Sequence, residues 1–455
     1  MTDTVVIGAG LAGLTTAIRL AQADQSVTLL TKGIGGIQLG QGTIDVLGYV
    51  PTKDGDRRVE KPFEEWSGFV AKHPAHPYRH LDNKTVRTAV DWLAGLLPGL
   101  LLPGDGRNQL VPTAVGAMRP TYLVQPSMAW PEVSSIAVVG PRQIKDFYPE
   151  LVAANLAQTA KVQAKGYHID LPARPGEVDS SPLLYALALD DADFRADFAK
   201  AVAAAIGDES AVCLPAILGL RTPDVAGLLA EALGRPVVEV LMVPPSIPGM
   251  RLNEALTALA KSLSVRIIIG AKVTSYQATP ERLEAVVLHQ AGYDKEYRAD
   301  NFVYAPGGFE SGALRLDSYG QATETLFGLP LTGVEGSDLV NGDYWADQQL
   351  FAAGVAVDDR MRPLDIQGQP FYQNLYAAGG VLAGAIRWHE KSGDAIAVAS
   401  AVRSAEAILG LYPAGAAKPK PKSPAVRPTP RPAKKPRSRF AKWLRWLFRL
   451  EGKKQ

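Results

Sequence analysis

The stretch Asp3–Gly33, "DTVVIGAGLAGLTTAIRLAQADQSVTLLTKG", constrains the fold more than any other part of the chain. Val5, Val6 and Ile7 form an apolar run of strand type, and Gly8, Gly10 and Gly13 follow in G-x-G-x-x-G spacing. Apolar positions from Leu11 to Leu20 then repeat at helical intervals, and Val27 to Leu30 reads as a second strand. Between a strand and a helix the three glycines permit, respectively, a tight turn, close approach of backbone to pyrophosphate, and close packing of helix on strand. The helix N-terminus adds unpaired N–H groups and the positive end of a dipole. An acidic residue usually meets the ribose after the second strand, but Thr31 and Lys32 stand there. Lys32 permits an NADP reading.

Two later glycine sites argue for a flavin instead. Phe302 to Ala305 reads as a buried strand stopping at Pro306, Gly307 and Gly308. Leu375 to Ala378 reads as another, followed by Gly379, Gly380 and an alanine-rich helix from Asp394 to Leu409. A single NAD domain has no need of such a closing unit, whereas large flavoproteins point a late helix N-terminus at the flavin, where its dipole favours the anionic reduced ring. The loop "KGIGGIQLGQGTIDVLGY" between these parts carries Gly35, Gly36, Gly40 and Gly42, whose backbone N–H groups suit approach to a flavin ring or pyrophosphate. Its Ile37, Leu39, Ile44 and Val46 are too apolar for a solvent loop.

Composition sets the limits around this reading. A chain of 455 residues that is 47% hydrophobic is long enough for two domains with substantial cores. No apolar run approaches the roughly 18 residues of a membrane span, and the N-terminus lacks a signal-peptide pattern, so a cytoplasmic location is expected. The single Cys213 sits in the apolar run "AVCLPAILGL", which suits core packing and excludes an internal disulfide or a self-ligated iron–sulfur cluster. Of 48 Lys and Arg and 46 Asp and Glu, fourteen and one fall in residues 418–454, leaving 34 and 45 in the body. The +2 chain is therefore an acidic body joined to a strongly basic tail.

The expected architecture is α/β: a discontinuous Rossmann-like FAD/NAD(P)-binding flavoprotein domain from residues 1–50 and 300–412, with a mixed region at 51–299 that includes an inserted α+β substrate or cap domain. In that region "IAVV", "AVCLPAILGL" and "PVVEVLMVPP" read as buried strands, a helical segment is expected from Gln143, and "RIIIGAKVTSYQATPERLEAVVLH" reads as strands returning to the nucleotide domain. A Pro/Lys-rich linker follows at 413–437, then a disordered basic tail ending in an amphipathic helix at 438–452. On that helix Phe440, Trp443, Leu444, Leu447 and Phe448 share one face, and Lys442, Arg445 and Arg449 the other. This is the pattern of a helix lying in the membrane interface, with a partner-docking helix as the alternative. The acidic body argues against nucleic acid.

The order "VIGAGLAGL", "QGTIDVLGY", "AHPY" at Ala75–Tyr78, "PPSIPGMRL" at Pro244–Leu252, "PGGFESGAL" and "LYAAGGVLAG" resembles the B subunits of the anaerobic glycerol-3-phosphate dehydrogenases over most of residues 1–412. "AHPY" and "PPSIPGMRL" are the discriminating pieces. Thr31 also matches the small hydroxyl residue that fumarate-reductase-like flavoproteins place after the second strand. The resemblance implies oxidation of glycerol 3-phosphate to dihydroxyacetone phosphate, electrons passing towards quinone, and two partners: a larger flavoprotein subunit and an iron–sulfur subunit. It also implies FMN, whereas the complete pyrophosphate turn suits FAD, so FAD and FMN both stay open. The basic extension departs from the family's usual pattern; its amphipathic helix, rather than the resemblance, is what leads to an expected peripheral association with the inner face of the cell membrane. Another substrate for the same flavin chemistry, or a non-catalytic electron-transfer subunit, are the alternatives.

Alcohol oxidation needs a base near the hydroxyl and cations for a phosphate dianion. His389, in "GAIRWHEKSGDAI" just ahead of the flavin-facing helix, is the candidate base, flanked by Arg387 and Lys391. Arg251 is the candidate anion clamp, with an interdomain salt bridge as the alternative. Cofactor contacts are expected from Gly8, Gly10, Gly13, Thr31, Lys32, Gly35, Gly36, Gly42, Gly307, Gly308, Gly379, Gly380 and Asp394. His73, His76 and His80 cluster, but Pro74 and Pro77 spoil regular ligand spacing, so no metal site is expected.

Overall fold

The N-terminal segment folds as its glycines require. The computed structural model describes residues 2–53, 55–270, 272–290, 292–334, 339–343, 346 and 348–412. It opens with β1 (Thr2–Ile7), α1 (Leu11–Ala21) and β2 (Val27–Thr31). Val5 and Val6 are completely buried, and β2 is buried along its whole length. Helices α2 (Pro62–Lys72) and α3 (Asn83–Leu96) follow.

The inserted region is itself layered. Strands β3 (Ser135–Pro141), β4 (Gln163–Ile169), β5 (Ala211–Pro215) and β6 (Val237–Val240) pair in the order β6-β5-β3-β4, all parallel. Between them run α4 (Pro149–Thr159), α5 (Pro182–Asp190), α6 (Ala192–Ala205) and α7 (Val225–Leu233). Parallel strands need such crossovers, and a sheet covered by helices reads as continuous apolar runs. Val138, Val212, Leu214 and Val238 build its separate core, where Cys213 is also buried. The helix expected from Gln143 starts instead at Pro149. Proline suits the first helical position, while Gln143 is held outside the helix by Asp170 and Tyr185.

The chain then returns to the first sheet through α8 (Ile247–Ser262), β7 (Arg266–Ile269), β8 (Lys272–Ala278), β9 (Leu283–Gln290) and β10 (Tyr293–Tyr304), and closes with β11 (Leu375–Ala377), α9 (Arg387–Glu390) and α10 (Gly393–Ile408). The order is β7-β2-β1-β10-β9-β8, with β11 also pairing β10. Residues 266–304 thus belong to the nucleotide sheet. β10 divides its pairing: residues up to Arg298 lie antiparallel to β9, while Phe302–Tyr304 lie parallel between β1 and β11. Helices α8 and α10 pack on α1. The linker and helix expected at 413–452 lie outside the described residues. Among the described residues no helix is long and apolar enough to cross a membrane.

Candidate flavin-binding cleft

A cleft of about 530 Å³ opens along the carboxyl ends of β1, β2, β10 and β11, where ligands bind in open α/β sheets. Gly8, Gly10, Thr31, Lys32, Gly35, Gly36 and Gly42 line it from the N-terminal segment. Gly307, Gly379, Gly380 and Asp394 line it from the C-terminal one. Gly13 lies beneath the wall: a β-carbon there would sit 1.9 Å from the Gly8 carbonyl oxygen, so glycine is what lets α1 approach the turn. Gly10 is different. It caps α1 with no side-chain hydrogen bond, and a β-carbon there would meet nothing within 4 Å. The first-turn N–H groups of α1 are therefore open to an anion beside empty space.

At one end of the cleft the Thr31 hydroxyl donates to the Gly33 carbonyl at 2.5 Å, which leaves its lone pairs for a ribose hydroxyl. Lys32 and Lys272 stand beside it. By Rossmann geometry this is the adenosine end, so a flavin ring belongs at the opposite end, beside the N-terminus of α10. There Asp394 accepts the Asp45 backbone N–H at 3.1 Å, and the Asp45 carbonyl accepts the N–H of Ala395 at 2.9 Å. The Asp45 carboxylate is ion-paired with Arg119 and accepts the Thr121 hydroxyl at 2.6 Å. Burial, and then the charge of Asp45, push the Asp394 carboxyl up to about 7.

The four residues expected to do chemistry separate. Arg251 lies outside the cleft wall, on α8. Its guanidinium pairs with both oxygens of the buried Glu239 at 2.8 Å and donates to the carbonyls of Leu218 and Gly219 and to Gln125. All five N–H donors are used, so the clamp reading gives way to its alternative, a tie between α8 and the second sheet. His389 is also outside the wall; its Nε2 pairs with Asp56 and its ring stacks on Trp388. Lys391 donates to the Trp388 carbonyl, and burial lowers its pKa.

Arg387 is nearer. A β-carbon at Gly380 would lie 2.5 Å from its Nη1, and one at Gly308 would lie 3.2 Å from its Nη2, which puts the guanidinium against the paired glycines. Burial lowers its pKa, while Glu310 and Glu390 favour the charged form. No described residue accepts a hydrogen bond from it.

"AHPY" fixes the segment that carries Arg387. The Tyr78 N–H donates to His76 Nδ1 at 3.1 Å, so the ring proton sits on Nε2 and is donated to Glu390 at 3.0 Å. Ser392 and the Ile386 N–H also donate to Glu390. Burial would raise its pKa, but these hydrogen bonds hold it below the ordinary value. His73 bonds the Phe69 carbonyl and His80 bonds Asp359, so the three histidines point to different partners. Among the described residues no three His, Cys, Asp or Glu side chains gather as a metal site. Asp45 and Arg119 were missed by the sequence reading, although Asp45 stands conspicuously within the apolar "TIDVLG".

Residues 3–396 match the family described as "FAD binding domain". The cleft fits FAD: open space at Gly10 admits a pyrophosphate, and the wall continues to Thr31 and Lys272, where FMN has no adenosine to place. The choice left open between FAD and FMN therefore falls on FAD. The B subunit of a probable anaerobic glycerol-3-phosphate dehydrogenase of Halobacterium salinarum is 31% identical over 415 residues, 88% of this chain and 95% of the relative. The B subunit of an anaerobic glycerol-3-phosphate dehydrogenase of Pectobacterium atrosepticum is 28% identical over 90% of this chain and 98% of its own length. Among solved structures, the open conformation of a flavocytochrome c3 fumarate reductase aligns with 90% of this chain and 78% of that one at 13% identity and a TM-score of 0.42, a likeness too distant to bear on function. With such identity spread along nearly the whole of both relatives, the chain belongs to the FAD-binding-domain flavoproteins and, among them, to the B-subunit family of the anaerobic glycerol-3-phosphate dehydrogenases.

Proposed function

We propose that this chain is the flavin-dependent subunit of a respiratory dehydrogenase that oxidises glycerol 3-phosphate to dihydroxyacetone phosphate and passes the electrons towards quinone. Family membership over nearly the full length is the observation that carries this reading. FAD, when bound, supplies the two-electron acceptor. Gly8, Gly10 and the N-terminus of α1 hold the pyrophosphate, Thr31 the ribose, and the 35–42 loop the flavin end. Arg387 binds the phosphate dianion, because a half-buried guanidinium with no hydrogen-bond acceptor among the described residues suits a bidentate oxyanion. His76, Glu390 and Ser392 position it.

The reading includes a larger flavoprotein subunit and an iron–sulfur subunit as partners, since one buried cysteine cannot ligate a cluster. It also includes peripheral contact with the inner face of the cell membrane through residues 438–452. A second reading, an electron-transfer subunit whose partner oxidises the substrate, is favoured by the positions of Arg251 and His389 away from the cleft. Anaerobic addition of glycerol 3-phosphate to the purified chain decides between them: bleaching of the flavin band, absent with glycerol, supports oxidation here. No bleaching until a second subunit is added supports the electron-transfer reading. Arg387→Ala is expected to weaken glycerol 3-phosphate binding about 10-fold or more, the loss of one charged hydrogen-bonding partner, with FAD retained.

A further inference from the structure

At the flavin end of the cleft Asp394 lines the wall and the buried Asp45 lies against it, two carboxylates with unequal surroundings. Asp45 is satisfied: Arg119 pairs with one oxygen, and the Thr121 hydroxyl donates to the other at 2.6 Å. Among the described residues Asp394 has one donor, the Asp45 N–H at 3.1 Å, and no ion pair of its own. The two cations whose charge acts on it are already engaged, Arg119 with Asp45 and Lys391 with the Trp388 carbonyl. Asp394 forms part of the cleft wall, with Ala397 one turn further along α10. Facing it from the surrounding elements are Asp45 on the 42–48 loop, Arg119 on the strand Met118–Thr121, Lys391 at the end of α9, and the Tyr78 phenol. The Tyr78 phenol is held neutral by burial and donates to the Val46 carbonyl. Asp45 meets the Asp394 turn through its backbone and its charge acts on the Asp394 carboxyl, while Glu390, the carboxylate before it, is bonded to Ser392, His76 and the Ile386 N–H.

We propose that Asp394, set against the ion-paired Asp45, provides a single proton site that fills and empties in step with the two electrons that enter and leave FAD. The inference rests on the FAD reading of the cleft. Geometry assigns the proton to Asp394, because Arg119 already neutralises Asp45. Burial beside a like charge raises its affinity into the neutral range, so a small change in local potential decides its occupancy. Two electrons arriving in the cleft, from an alcohol donor or from a chemical reductant, make that potential more negative. One proton then moves from bulk water to the Asp394 carboxylate, forming one O–H bond; when the electrons leave, that bond breaks and the proton returns to water. Asp394 thereby offsets charge that the N-terminus of α10 would otherwise have to stabilise alone.

The test measures the midpoint potential of the bound flavin against pH in the full chain, by mediated titration with dithionite, for the wild type, Asp394→Asn and Asp45→Asn. The visible spectrum before titration reports FAD occupancy separately. Within about one unit of pH 7, the wild type should take up as much as one proton more per two electrons than Asp394→Asn. In Asp45→Asn the steep region should move to lower pH, since the like charge is gone and Arg119 is released to Asp394. Identical pH dependence in FAD-loaded wild type and Asp394→Asn would overturn the proposal. Should Asp394→Asn fail to keep FAD, an unshifted profile in Asp45→Asn would overturn it as well. Absence of FAD from the wild type would overturn both this proposal and the cofactor reading beneath it.

Discussion

Glu390 and Asp394 are four residues apart and titrate in opposite directions because their donors differ. Glu390 receives hydrogen bonds from His76, Ser392 and the Ile386 N–H, which outweigh burial and keep it ionised. His76→Ala removes one donor from a buried carboxylate and is expected to cost about 1–3 kcal/mol of stability, read by denaturant unfolding. Among the described residues Asp394 receives a single backbone N–H, beside the charge of Asp45, and its carboxyl rises from 3.8 to about 7. A carboxyl raised in the folded state keeps a proton that the unfolded chain releases. Its contribution to stability is therefore full below about pH 4 and falls as pH rises towards 7, by at most about 1.4 kcal/mol per unit. The FAD-free protein should accordingly gain stability at pH 8 in Asp394→Asn, and the gain should shrink as pH falls; a constant difference would contradict this. His389, paired with Asp56 outside the cleft, should tolerate alanine with little change in turnover.

The N-terminal strand, turn and helix were legible in sequence because their determinants are local. Spacing alone predicts the turn, and α1, β2 and α10 fall within two residues of the spans expected. What stayed hidden was contact between distant positions: Asp45 with Asp394, 349 residues apart, and His76 with Glu390, 314 apart. Arg251 shows the same limit, since only the fold reveals Glu239 as its partner. The turn glycines also divide into two kinds that the motif does not distinguish. Gly13→Val would drive a side chain into the Gly8 carbonyl and should destabilise the apoprotein together with losing FAD. Gly10→Val meets open space, so the apoprotein should keep its fold within about 1 kcal/mol while FAD is lost to a filled pyrophosphate site. Circular dichroism and flavin content of the two variants check the contrast.

Across the whole molecule, the nucleotide sheet is assembled from both ends of the chain, and the inserted parallel sheet is tied to it through α8 by the Arg251–Glu239 pair. Breaking that pair with Arg251→Ala leaves a buried carboxylate unpaired and should cost about 3–5 kcal/mol, without removing any group from the cleft. The basic segment beyond residue 413 is the other feature of this scale. If residues 438–452 bind anionic headgroups, the full chain should sediment with anionic vesicles at low salt, and a chain ending at Pro413 should not. The chemistry of the whole chain depends on one occupant of the cleft. Denaturing the purified protein and identifying the released cofactor by chromatography tests this most directly: FAD in equimolar amount is predicted, and FMN, a nicotinamide nucleotide or no flavin at all would contradict it.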